Sequence, residues 1–173
     1  YKLSTNWITF LLNPIVVMLA IPLYKNKDSL KKNYAPIIIG IISSIIISII
    51  AVFGLSLIMN LDQNVMISLF PKSITTPMAL EVTSLLNGNE GLTVVFVVLT
   101  GIIGATFANF TLNLFKINHP IAKGIAIGAS SHGIGTSKAI TISEETGSAS
   151  GLAMGLSGVI TVISFSIISN FFL

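Results

Sequence analysis

The sequence contains no cysteine and no arginine, and only two of its 173 residues are histidine. The lack of cysteine excludes disulfides, thiol nucleophiles and cysteine-ligated metal sites. Two separated histidines give no basis for a zinc site, so no metal is expected. Charged residues make up only 9% of the chain, against about 25% in soluble domains. So few charges exclude an intrinsically disordered segment and a nucleic-acid-binding module.

Apolar residues take the place of the missing charges. They make up 53% of the chain, and the mean hydropathy is +0.92. This composition predicts an integral membrane protein that needs a lipid bilayer as its partner. The net charge of +3 comes from lysines alone, and the high isoelectric point therefore indicates no DNA or RNA partner.

The chain begins at Tyr1 without the basic stretch and small-residue cleavage site of a secretory signal peptide. We therefore expect no signal peptide, and we expect that an N-terminal part of the protein is missing from this sequence. Residues 1–173 otherwise form a single predicted membrane domain.

Four apolar runs are long enough to cross the roughly 30 Å hydrocarbon core of a bilayer. They cover residues 7–23, 37–59, 92–115 and 149–173. The second run is rich in isoleucine, which would favour a strand in water. In lipid, only a helix or a closed barrel satisfies the backbone hydrogen bonds, and we therefore predict about four transmembrane helices in an all-α polytopic protein.

Two further segments do not fit a full span. Prolines at both ends of residues 71–77 exclude a regular helix interior, and residues 77–86 then form only half a span of about 15 Å. In the second segment, apolar residues 121–129 lead into a polar, glycine-containing stretch at 130–138. We expect both segments to be re-entrant broken helices.

The two segments resemble each other when the sequence is shifted by 60 residues, which predicts a weak internal repeat of residues 65–115 and 125–173. The shift aligns Thr76 with Thr136, Ala79 with Ala139, Gly91 with Gly151 and Leu92 with Leu152. If both segments are re-entrant, six lysines fall on one membrane face: Lys25, Lys27, Lys31, Lys32, Lys116 and Lys123. By the positive-inside rule this face is cytoplasmic, and the two copies form an inverted repeat of the kind found in secondary transporters.

The broken segments also supply the candidate binding residues. Thr76 is the predicted N-cap of the first half-helix, with Pro77 at its first position, and a helix N-terminus attracts anions. The candidate substrate-binding residues are Thr75, Thr76, Ser131, His132, Gly133, Gly135, Thr136 and Lys138. The alternative is that these residues only cap short helices and allow tight turns.

Two residues are candidates for proton coupling. Glu81 lies one turn inside the first half-helix, where a carboxylate at bilayer depth is costly unless it is protonated or paired with Lys138 or His132. His132 could carry a proton, because histidine is the side chain that ordinarily gains and loses one near neutral pH. The alternatives are a shallow Glu81 that contacts interfacial water, a structural His132, and a Lys138 that extends to the surface.

Gly147, Gly151 and Gly155 lie four residues apart and form a smooth stripe on the last predicted helix. Such stripes permit close helix packing in lipid. The stripe predicts packing within the chain, and a subunit interface of a homo-oligomer is the open alternative. No nucleophile–base arrangement or phosphate-binding loop is present, so we predict no enzyme and no cofactor.

At these same positions the sequence resembles the LrgB/CidB family of bacterial membrane proteins. The resemblance lies in four strings: AIPLYK at 20–25, PKSITTP at 71–77, SHGIGTSKA at 131–139 and GLAMGL at 151–156. Family members commonly have arginine after the histidine-containing loop, whereas this chain has Ser137 and Lys138, so bidentate recognition of a carboxylate is weakened.

The resemblance implies a multi-pass protein of the bacterial cell membrane that acts with a small LrgA/CidA-type partner in the control of murein hydrolase activity and autolysis. It also implies transport of small carboxylates such as pyruvate or glycolate, because relatives are linked to that activity. The residues favour a carboxylate transporter working by alternating access. The alternative is a non-transporting antiholin-like or holin-like regulator.

Overall fold

A computed structural model of the chain describes residues 24–172, with side chains as far as residue 169. This part of the chain is all-helical, as predicted, and the span expected at residues 7–23 lies outside it. The helices are α1 (Lys27–Lys32), α2 (Tyr34–Met59), α3 (Gln63–Leu69), α4 (Thr76–Leu85), α5 (Glu90–Leu114), α6 (Pro120–Ile142) and α7 (Glu144–Phe172).

Three of these helices are long and apolar enough to cross a membrane: α2, α5 and the Glu144–Ser169 part of α7. Each overlaps one of the apolar runs predicted from sequence. Large apolar side chains on them remain exposed, among them Ile39 at 65% and Phe110 at 63% of their full accessible surface. Exposed apolar faces of this extent fit contact with lipid rather than with water.

Helix α4 is the predicted half-length helix, but it begins one residue earlier than expected. Thr75 is the N-cap residue, with an extended backbone, and Thr76 is already helical. The first intrahelical bond runs from Ala79 N to Thr75 O at 2.9 Å. Pro77 lacks a backbone N–H and is tolerated throughout the first turn, so it does not fix the first position as the prediction assumed. Ten residues give α4 a length of about 15 Å.

The segment that contains α4 begins and ends at the same end of the molecule. The Ser68 hydroxyl at the end of α3 donates to Asn89 O at 3.1 Å and accepts from Asn89 N at 3.0 Å. Asn89 is the N-cap of α5. Residues 70–75 therefore run into the molecule, and α4 returns beside them.

Helix α6 turns back on itself at Ser131 and His132. His132 has φ 41° and ψ −136°, and Ser131 has φ −133°, so neither residue is helical. In a straight helix, residues 127 and 135 would lie about 12 Å apart along the axis. Here a Cβ added to Gly135 would lie 3.0 Å from Ile127 O. The two halves of α6 therefore form a helical hairpin with its tip at Ser131–His132.

Both ends of this hairpin lie beside the start of α7. A Cβ on Gly124, in the first half, would overlap the Thr146 carbonyl oxygen, whereas a Cβ on Gly147 would lie 2.7 Å from Ile140 Cγ1 in the second half. Thr136 and Ser150 join the second half to α7, with 3.0 Å between their hydroxyl oxygens. The hairpin thus enters and leaves at one end of the molecule.

That end is also where α1 lies, and we call it the basic end after Lys25, Lys27, Lys31 and Lys32. Lys25 Nζ lies 3.4 Å from Glu144 Oε1, and the Ser29 hydroxyl donates to Glu145 Oε1 at 2.8 Å. Asn33 and His119 line one surface groove, which places the α5–α6 connection at this end as well. The six lysines that were predicted to share a face therefore all belong to segments at this end of the molecule.

Candidate functional site

The tip of the α6 hairpin lies against the middle of α5. His132 is 5% exposed, and its Nε2 lies 2.9 Å from Val97 O. A Cβ on Gly101 would come within 2.7 Å of His132 Cε1, and one on Gly104 would overlap Ser131 Oγ. Glycine at these two positions therefore allows the non-helical tip to pack against a helix of membrane-spanning length.

The other broken segment reaches the middle of α2. The Lys72 ammonium donates to Ser48 Oγ at 2.9 Å and to Ser73 Oγ at 3.4 Å. Ser48 lies close to the midpoint of α2. The two breaks in helical structure thus lie at similar heights, far from both ends of the long helices.

A cavity of about 750 Å³ lies between α2, α5 and α6 and extends to residues 72 and 73. Small-molecule sites commonly have volumes of about 300–1,000 Å³. Hydroxyl groups line it from four segments: Ser43, Ser44, Ser48, Ser73, Thr100, Thr111, Ser130 and Ser131. Much of the remaining wall is apolar, including Ile103 and Phe107. The cavity therefore combines one lysine with several hydroxyls in an apolar surround.

Of the predicted substrate-binding residues, Ser131 lines this cavity. Thr75, Thr76, Gly133, Gly135, Thr136 and Lys138 are not among its lining residues. Thr136 is buried, and its hydroxyl donates to His132 O at 2.9 Å. Gly135 fits against Ile127, where the two halves of the hairpin meet. In this structure both residues contact other parts of the hairpin or α7.

Glu81 lies on a different surface. It is exposed and lines a groove of about 320 Å³ with Met78 of α4 and Val159, Val162 and Ile163 of α7. No salt bridge between Glu81 and Lys138 exists in residues 24–169, where the observed ion pair joins Lys25 to Glu144. The proposed pairing of Glu81 with Lys138 is therefore not formed, and Nε2 of His132 is engaged by a backbone carbonyl instead.

The predicted glycine stripe on α7 divides into two parts. Gly147 packs against Ile140, as packing within the chain requires. Added Cβ atoms on Gly151 and Gly155 would meet no atom of residues 24–169 within 4 Å. Within this part of the chain, close packing therefore explains Gly147 but not the other two glycines.

The sequence patterns do not point to Lys72 or to the serines of α2, which line the cavity. They indicate a helix-breaking segment at residues 71–77 and an apolar span in α2. One signal is present in the sequence, because Lys72 lies outside the segments that carry the lysines of the basic end. Its contact with Ser48 depends on the path of residues 70–75, which no local pattern specifies.

Membrane-length helices around two broken helical segments define a helical membrane protein. Residues 1–171 match the LrgB-like family, and the chain belongs to this family, which confirms the resemblance seen in its motifs. The YwbG protein of Bacillus subtilis is 34% identical over 171 residues, which cover 99% of this chain and 76% of YwbG. The holin-like protein CidB of Staphylococcus aureus is 34% identical over 163 residues, covering 94% of this chain and 71% of CidB. No solved structure matches the chain.

Proposed function

We propose that this protein carries small carboxylates across the bacterial cell membrane by alternating access. The observation that supports this most is that both broken segments line one cavity, midway along helices of membrane-spanning length. Secondary transporters commonly place their sites at broken helices near the bilayer midplane. The protein needs no enzymatic step and no cofactor for this task.

In the proposed orientation the basic end faces the cytoplasm, as the positive-inside rule requires. Helices α2, α5 and α7 cross the membrane, whereas α4 and the α6 hairpin are re-entrant and enter from opposite faces. This arrangement makes the two halves an inverted repeat. Movement of one half against the other would open the cavity alternately to each side.

Glu81 and His132 are the two candidates for proton coupling, and they occupy different environments. Glu81 faces an apolar groove between α4 and α7, where protonation would remove the cost of a charge in lipid. His132 lies at the hairpin tip, next to Ser131 of the cavity wall. A proton on either residue would change the charge close to one of the two broken segments.

The transport proposal is tested by reconstituting the purified protein into liposomes and measuring pyruvate and glycolate flux. We expect saturable uptake while an entrapped dye is retained. Absence of flux, both alone and with an LrgA/CidA-type partner, would contradict the proposal. Simultaneous loss of the dye would indicate a pore instead.

The second candidate function is a holin-like regulator that controls murein hydrolase activity and autolysis through an LrgA/CidA-type partner. Gly151 and Gly155 support this candidate, because none of the described residues packs against them and a second helix or another copy of the chain could pack there. Under this proposal, lysis phenotypes persist in Thr76→Ala and His132→Ala and disappear in Gly151→Leu/Gly155→Leu. The reverse pattern supports transport.

A further inference from the structure

We propose that Lys72 is the cationic ligand of the carboxylate in the cavity between α2, α5 and α6, with the hydroxyls of Ser48, Ser73, Ser130 and Ser131 around it. This inference takes its substrate class from the proposed transport function. It moves the binding site from the helix starts at Thr75 and Thr76 towards the middle of α2.

The first argument is that Lys72 has no acidic side chain as a partner in the described part of the chain. All six acidic side chains lie in the described part of the chain, and the ion pair seen there joins Lys25 to Glu144. Residues 1–23 contain no aspartate or glutamate. The ammonium group instead contacts two serine hydroxyls, which are neutral. A positive charge near the middle of a membrane-length helix thus lacks a counter-charge.

Such a charge is costly at bilayer depth, and ionisable residues there face a cavity or a partner and are commonly functional. Lys72 meets this description because it lines the 750 Å³ cavity. A lysine ammonium has three N–H donors, and the hydrogen bonds to Ser48 and Ser73 use two of them. The remaining donor can be given to a carboxylate oxygen, which would also supply the counter-charge.

The hairpin tip supplies a donor for the second carboxylate oxygen. Ser130 and Ser131 both line the cavity, and their hydroxyl oxygens lie 3.0 Å apart. The Ser130 hydroxyl already donates to Ala126 O at 2.7 Å, so the Ser131 hydroxyl is the one that can donate to the carboxylate. A carboxylate between Lys72 and these serines would connect the two broken segments directly. Substrate binding would then stabilise the conformation in which the two broken segments lie close together. A transported substrate has to stabilise such a conformation.

The charge balance also specifies the ligand. One cation compensates one carboxylate, and a second carboxylate would remain uncompensated in an apolar wall that includes Ile103 and Phe107. We therefore expect a small monocarboxylate with a short apolar body to bind better than a dicarboxylate of similar length.

The test measures pyruvate binding to the purified protein by titration calorimetry, with pyruvamide as the uncharged analogue. We expect Lys72→Gln to weaken pyruvate binding by at least about tenfold, because a hydrogen bond to a charged group contributes about 1.5–3 kcal/mol. Lys72→Arg retains the charge and should retain part of the affinity. The matched control is Lys32→Gln, which removes an exposed lysine at the basic end and should bind like the unaltered protein.

Equal pyruvate affinity in Lys72→Gln and the unaltered protein would overturn the inference, as would equal binding of pyruvamide or no binding of pyruvate at all. If Lys72→Gln does not fold, Ser48→Ala replaces it: it removes the closer hydroxyl partner of the ammonium, and we expect affinity to fall several-fold. An unchanged affinity in Ser48→Ala would then overturn the inference. Flux is measured separately, so Lys72-dependent binding without flux would contradict transport while leaving the binding site supported.

Discussion

Gly104 determines how closely α5 approaches the tip of the α6 hairpin. Its missing side chain leaves room for Ser131 Oγ, which would overlap a Cβ at this position. The backbone of His132 at the same tip has a positive φ, which non-glycine residues adopt only when their surroundings enforce it. Contacts of the His132 ring with Gly101 and with Val97 O help to hold this backbone conformation. The conformation of the break thus depends on single residues of the neighbouring helix.

We expect Gly104→Ala to destabilise the protein by about 1–3 kcal/mol, because overpacking forces the backbone or neighbouring side chains to shift. Thermal unfolding in detergent measures the change. The control is Gly54→Ala in α2, where an added Cβ meets nothing within 4 Å. Gly54→Ala should be neutral or stabilising, because alanine favours the helix by about 1 kcal/mol over glycine. Equal stability changes in the two variants would contradict this account.

Glu81 provides a second prediction at the scale of a residue. If it carries the coupled proton, Glu81→Gln should abolish the stimulation of carboxylate uptake by a pH gradient, because glutamine cannot exchange a proton. Uptake at several pH gradients measures this. Glu90→Gln is the control, since Glu90 is an exposed carboxylate in the first turn of α5. Unchanged stimulation in Glu81→Gln would remove Glu81 from the coupling mechanism.

The α6 hairpin is the element that separates this fold from a simple bundle. Its 23 residues would cross a bilayer if the helix were straight. Contact of Gly135 with Ile127 shows that the two halves lie side by side instead. Lys123 near the start of α6 and Thr141 near its end consequently lie at the same end of the molecule.

We therefore expect Lys123→Cys and Thr141→Cys to react with a membrane-impermeant maleimide from the same side of the membrane. The chain has no native cysteine, so each label reports one position. Lys32→Cys marks the basic end, and Gln63→Cys at the start of α3 marks the opposite end. Labelling of positions 123 and 141 from opposite sides would show that α6 crosses the membrane.

Sequence patterns predicted the elements of this fold better than their contacts. Proline at 71 and 77 and the following polar turn predicted the half-length α4, with an error of one residue at each end. The polar stretch after residue 129 predicted the break in α6. The contact of Lys72 with Ser48 was not predictable, because residues that are 24 positions apart meet only through tertiary packing.

At the scale of the whole molecule, close helix contacts contribute more to the stability of the fold than ion pairs do. In lipid the hydrophobic effect between helices is absent, and small residues that permit close approach take its place. Gly124 and Gly128 of α6 contact the backbone of α7 around Thr146 and Ser150. By contrast, the side chains of Lys25 and Glu144 are 64% and 57% exposed.

Lys25→Ala should therefore change the free energy of unfolding by less than about 1 kcal/mol, as is usual for exposed ion pairs. Thermal unfolding at low and high salt measures this. The comparison variant is Gly128→Ala, whose Cβ would overlap the Ser150 carbonyl oxygen and should cost more. A larger loss in Lys25→Ala than in Gly128→Ala would contradict a fold held by close helix packing.

Because α6 returns to the end where it begins, it also determines whether the number of membrane crossings is odd or even. In the proposed topology, three crossings by α2, α5 and α7, with none from α6, place Phe172 on the side opposite the lysines. If α6 were counted as a crossing, Phe172 would be assigned to the same side as the lysines. In the proposed orientation, an alkaline phosphatase joined after Phe172 would be exported and active, whereas a green fluorescent protein there would not fluoresce. The choice of tag for purification, display or localisation of this protein thus depends on one helical hairpin.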